Sequence, residues 1–72
     1  MKEKIKAVIK RTFKITEVPD NLSQKNCEQW DSMNHLNLVV ELESEFDISL
    51  EPEEIAEMKS LDDILKLIEN KK

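Results

Sequence analysis

Ile5, Val8, Ile9, Thr12 and Phe13 fall at i, i+3, i+4, i+7 and i+8, the spacing that gathers side chains onto one face of an α-helix. Lysines and Arg11 occupy most of the positions between them, so an amphipathic helix is predicted over about 2–14. The β-branched pair Ile15-Thr16 leads to Val18-Pro19-Asp20-Asn21, which reads as a break and a turn. Residues 15–30 are the least periodic stretch, rich in Asn, Gln, Ser and Asp, with Leu22 and Trp30 as its expected anchors.

A second helix is predicted over 32–46, with Asp31 and Ser32 both suited to its N-cap. In projection, Asn34, Asn37, Glu41, Ser44 and Glu45 share one polar arc, while Met33, Leu36, Leu38, Val39, Val40, Leu42 and Phe46 fill most of the rest. An apolar arc that wide predicts a central helix touching several others, with only its polar stripe facing out. Asp47 closes it, and Ile48 and Leu50 pack in the loop beyond. Pro52 suits the first turn of a short helix over 52–57, with Ser49 as a nearby cap. Ser60 then caps a last helix over 60–70, whose buried face is Leu61, Ile64, Leu65 and Ile68. Asp62 and Asp63 suit its first turn and Lys71 and Lys72 its end. The fold expected is all-α: a small four-helix bundle of three main helices and one short one, in a single domain over 1–72.

Composition sharpens this. At 72 residues the core is thin and a deep dry catalytic cavity is hard to enclose. Glycine is absent, which excludes Gly-rich phosphate loops and hands positive-φ turns to Asn or Asp. The net charge of −5 is uneven: residues 1–14 carry six basic side chains against Glu3 alone, and the remainder carries five basic against fifteen acidic ones. The acidic body disfavours nucleic acid and anionic membranes and favours partners with basic docking patches. The basic first helix lacks interleaved aromatics and reads as a solvated face. Cys27 is the single cysteine, so it forms no intramolecular disulfide or Cys-based zinc site, and it reads as a small buried residue. No apolar run has signal-peptide or membrane-spanning character, so a cytoplasmic location without membrane insertion is expected.

Chemistry concentrates at the start of the second helix. Trp30-Asp31-Ser32-Met33-Asn34-His35-Leu36 resembles the Asp-Ser-Leu attachment motif of acyl and peptidyl carrier proteins. The likeness continues through Leu38-Val39-Val40-Glu41-Leu42-Glu43-Ser44-Glu45-Phe46-Asp47-Ile48, and Glu53 to Ile68 resembles that family's third and fourth helices. What the resemblance implies is a stand-alone acyl carrier, not an enzyme. In that family a phosphopantetheinyl transferase moves 4′-phosphopantetheine from coenzyme A onto the serine, here Ser32, and acyl groups then ride as thioesters on the arm's thiol. The pathway would be fatty-acid, polyketide or specialised acyl transfer. Asp31 would assist recognition by the transferase, and Met33, Asn37, Glu41 and Glu45 would meet partner enzymes bearing basic patches. The carrier is expected to act as a monomer. An unpaired helix N-terminus tolerates a phosphodiester on physical grounds alone.

Met33 stands where the family has leucine, and Asn34 and Asn37 where fatty-acid carriers place acids, which suggests a specialised pathway. His35 is the only histidine. Without a Gly-x-Ser-x-Gly turn, a Ser–His catalytic pair is a poor reading, and a surface or half-buried histidine is expected. Trp30 is expected to pack beside the attachment site, with contact to the arm as the alternative. The acidic residues from Glu41 to Asp63 lack calcium-loop spacing, and no metal site is expected. The rival readings are an aminoacyl or peptidyl carrier and, from another class, a small helical adaptor with no prosthetic group.

Overall fold

The computed structural model describes residues 1–71, which form four helices: α1 (Lys2–Phe13), α2 (Ser32–Phe46), α3 (Pro52–Glu57) and α4 (Leu61–Lys71). The fold is an all-α bundle. Ile5, Val8, Ile9 and Phe13 are buried on α1, Leu38, Val39, Leu42 and Phe46 on α2, and Leu61, Ile64 and Ile68 on α4. Val18, Leu22, Cys27, Trp30, Leu50 and Met58 complete the core from the connecting segments. Among the described residues no helix is long and apolar enough to cross a membrane.

Both long helices end the same way. Lys14 (φ 58°, ψ 44°) and Asp47 (φ 55°, ψ 53°) adopt the left-handed conformation. The next residue, Ile15 or Ile48, donates its N–H back to the carbonyl of Lys10 or Glu43, at 3.2 and 3.1 Å. This closure satisfies carbonyls the helix end leaves open, and the isoleucine folds back against the core. Asp47 fits the expectation that Asn or Asp takes positive φ, but Lys14 corrects it. At Lys14 the closing hydrogen bonds and the packing of Ile15 offset a steric cost of about 1–2 kcal/mol.

The long loop from 15 to 30 is tied down along its length. The Leu61 N–H donates to the Leu22 carbonyl (2.9 Å) and the Gln24 N–H to the Lys59 carbonyl (3.0 Å), forming an isolated bridge between Ser23 and Ser60. Leu22 and Trp30, each 4% exposed, anchor it in the core. Asp20 accepts from Lys6 Nζ (2.8 Å) and Lys2 Nζ (3.1 Å), fastening the turn to α1.

α2 meets α1 most extensively and reaches α3 through His35 Nε2 and the Ile55 carbonyl (2.9 Å), while α1 also packs on α4. One expectation about packing is corrected. The polar stripe of α2 is not all that faces out: Met33, Leu36 and Val40 are 74, 60 and 61% exposed. The reason is geometric. One helix row, Leu38, Val39, Leu42 and Phe46, meets the core, while Met33, Leu36, Asn37, Val40 and Ser44 run along another row with nothing packed over it. In so small a bundle there are too few helices to cover both rows.

The ends of the C-terminal half are also specific. Glu51, and not Ser49, caps α3, its N–H donating to Glu54 Oε1 at 2.8 Å. That bond, followed by the ion pair with Lys71 Nζ (3.0 Å), holds the Glu54 carboxyl below its ordinary value. Ser60 Oγ accepts from the Asp63 N–H (3.1 Å) and so starts α4. Lys71 lies in the last turn of α4; Lys72, expected to share its role, lies outside the described residues.

Candidate functional site

The chain enters α2 through an extended residue, Asp31 (φ −95°, ψ −177°), whose Oδ1 accepts from the Asn34 N–H at 2.8 Å. Asp31 is therefore the N-cap and Ser32 the first helical residue. The Asp31 carbonyl takes the His35 N–H at 2.8 Å, beginning the helical ladder. The division of labour matters for Ser32. Had its own hydroxyl capped the helix, that oxygen would be engaged; with Asp31 in that position, the Ser32 side chain is exposed and makes no hydrogen bond among the described residues. The amides of Ser32 and Met33 belong to the unpaired first turn, beside the positive end of the helix dipole.

The loop before this corner is clamped to it. Asn34 Nδ2 donates to the Gln29 carbonyl (2.7 Å), and Asn37 Nδ2 donates to Asn34 Oδ1 (3.3 Å). A carboxylate at position 34 could not donate to that carbonyl, so the asparagine there has a local task. Trp30 packs its ring on Phe13 (centroids 5.6 Å apart) and lies nearly parallel to His35. His35 is half-buried, as expected of a histidine without a catalytic partner, and its Nε2 points to the Ile55 carbonyl rather than to Ser32.

Asp31, Ser32, Met33 and Asn37 are all exposed and share the first two turns of α2 and its entry. Glu41 and Glu45 lie further along, Glu45 about 20 Å from Ser32 at the helical rise. They do not present bare charge. Arg11 of α1 reaches across to Glu41 Oε1 at 3.0 Å and Glu45 Oε1 at 3.7 Å. The face running from Ser32 to Val40 is therefore apolar and neutral along its middle, with paired charges at one flank. Sequence reasoning passed over the contacts of Arg11 and Gln29, and it read Asn34 only as a departure from the acids of fatty-acid carriers. Of the three, Asn34, able to donate and accept at a helix start, carries a local signal.

The described parts fit a phosphodiester on Ser32: an accessible hydroxyl, two unpaired amides beside it, and no side chain packed over it. The architecture also has a known counterpart. It superposes on a holo acyl carrier protein from Geobacter metallireducens, solved in solution by NMR, with a TM-score of 0.87 at 24% identity, covering 97% of this chain and 83% of that one. No protein-family model matches the chain, and no curated protein matches it. The fold is thus the acyl-carrier-protein fold, a small bundle of four helices with the candidate serine at the start of the second.

Proposed function

We propose that residues 1–72 form a single carrier domain whose Ser32 accepts 4′-phosphopantetheine from coenzyme A through a phosphopantetheinyl transferase. The observation that carries this reading is the uncovered Ser32 hydroxyl on the first residue of α2, left free because Asp31 supplies the cap. Bound there, the group would supply a thiol that holds acyl cargo as a thioester. The chain's own part is presentation and not catalysis. Ser32 offers the oxygen, the first-turn amides of α2 favour the anionic ester, and the bundle holds the attachment point clear of the core. A tether of this kind raises the local concentration of cargo at each partner.

Asp31, exposed beside the serine, serves recognition by the transferase. The outward row of α2 serves docking. Met33, Leu36 and Val40 present apolar surface to a recess in the partner enzyme, Asn37 lies between them, and basic groups on the partner's rim face Glu41 and Glu45. Because Arg11 already pairs those two carboxylates, binding should depend less on salt than bare charge would require. The setting that suits this is a specialised acyl-transfer pathway in the cytoplasm, with the carrier as a monomer.

The test is incubation with coenzyme A and a broad-specificity phosphopantetheinyl transferase, read by intact mass. One added phosphopantetheine is expected, and none on Ser32→Ala with the helical spectrum unchanged. A protein that takes up nothing, or is still labelled after Ser32→Ala, refutes the assignment and leaves the helical adaptor.

A further inference from the structure

The carrier reading leaves two side chains unused, the only histidine and the only tryptophan of the chain. They are bonded to each other. Trp30, 4% exposed, directs its indole N–H at His35 Nδ1 across 2.9 Å. His35 Nε2 lies 2.9 Å from the Ile55 carbonyl oxygen. An indole N–H can only donate and a carbonyl can only accept, so the roles of both ring nitrogens follow: Nδ1 is bare and Nε2 carries the proton. The two rings lie 6.2 Å apart at 24°.

This one side chain joins three segments. Trp30 is the last residue before the Asp31–Ser32 corner, His35 lies in the first turns of α2, and Ile55 belongs to α3. Among the described residues α3 has no fully buried side chain, and the Glu54–Lys71 pair also fastens it. The backbone at Asp31 is extended, so the direction in which Ser32 leaves the loop depends on where Trp30 is held.

We propose that His35 is a positioning residue for the modification of Ser32: its neutral ring clamps the Trp30 indole and α3 together and so fixes the corner that the transferase engages. The inference rests on Ser32 being the acceptor. His35 touches neither the hydroxyl nor the incoming group, so its loss acts on how the carrier is bound more than on the chemical step.

The experiment compares wild type, His35→Leu, His35→Gln and Trp30→Phe, measuring transferase kcat and the KM for the carrier alongside the NMR signal of the single indole N–H. His35→Leu leaves the Trp30 indole N–H without an acceptor and the Ile55 carbonyl with the Met58 N–H alone (3.3 Å), and kcat/KM should fall roughly tenfold, chiefly through KM. His35→Gln offers an acceptor and a donor on one planar group and should recover most of that loss, with the indole resonance and its exchange protection restored. Trp30→Phe keeps the ring against Phe13 but deletes the donor, and should fall in the same direction by less; it carries the test if His35→Leu does not fold. Leu65→Ala, on α4, serves as a control for destabilisation alone and should leave kcat/KM unchanged.

Modification of His35→Leu or Trp30→Phe at the wild-type rate overturns the clamp and leaves Ser32 as acceptor. A Gln variant no better than Leu, or an equal loss in Leu65→Ala, also overturns it, since stability alone would then explain the data. A wild-type protein that is not modified at all overturns both readings.

Discussion

Asp31 has two tasks that substitution can separate. Its carboxylate caps α2 through the 2.8 Å bond from the Asn34 N–H, and its charge sits at the positive end of the helix dipole. Asp31→Ala deletes both. Loss of an N-cap costs about 1 kcal/mol, and the dipole contact of an exposed carboxylate adds about 0.3–1 kcal/mol. In a domain of this size each kcal/mol moves the melting midpoint by roughly 4–8 °C, so Asp31→Ala should melt at least about 5 °C lower. Asp31→Asn keeps a capping oxygen and discards only the charge. At about 0.3–1 kcal/mol its midpoint should fall by roughly 1–8 °C. Function should sort differently. If the transferase reads the carboxylate, both variants lose a hydrogen bond to a charged group, worth about 1.5–3 kcal/mol, and are modified roughly tenfold or more slowly. Thermal melts by far-UV circular dichroism and labelling rates by intact mass give the two readouts on the same samples. An Asp31→Ala protein that melts with the parent would refute the capping argument. An Asp31→Asn protein modified at the parent rate would refute the recognition role.

Two further outcomes follow from the core and from the charged turn. Leu42 is fully buried on α2, and Leu42→Ala should cost about 2–5 kcal/mol in urea unfolding, a large share of the roughly 4–11 kcal/mol expected for this length; a loss below about 1 kcal/mol would mean that the α1–α2 contact is looser than the structure shows. Asp20 accepts from Lys6 first and Lys2 second, and these hold its carboxyl below its ordinary 3.8. A carboxyl lowered by folding adds stability that is present above its unfolded value and is lost as the pH falls through the lower folded one. Stability should therefore decline below about pH 4, and Asp20→Asn should flatten that acid limb in urea midpoints measured against pH. An unchanged acid limb would show the pair to be inert. Lys6, raised above its ordinary 10.5 chiefly by its hydrogen bond to Asp20, has the opposite sign, its contribution fading as the pH rises through that higher value.

Much of the fold is legible because helices are local. The periodicity of residues 5–13 marks the face that α1 buries, and Leu22 and Trp30 stand out as apolar residues in a polar loop that must be anchored somewhere. The start of α2 is equally local: a carboxylate followed by serine and a helix-forming run places a cap and an open first turn, whatever the rest of the chain does. Met58, 1% exposed, is harder to read, since it stands alone between α3 and α4 with no periodic neighbour to declare its side.

The local rules run out where one side chain has to choose between two surfaces. Nothing in the spacing of Met33, Leu36 and Val40 distinguishes them from Leu38, Val39 and Leu42, and all six read as core. Which row is covered depends on where α1 comes to lie, and that is settled by contacts between residues far apart in the chain. Arg11 meets Glu41 thirty positions away, and His35 meets Ile55 twenty positions away. The sequence by itself determined the helices and placed the start of α2 at Asp31-Ser32, because each depends on hydrogen bonds and apolar spacing within a few residues. Only the tertiary structure decided which face of α2 stays open, which carboxylates are already paired and which carbonyl holds the histidine, because burial and pairing are properties of surfaces that meet only once the chain has closed.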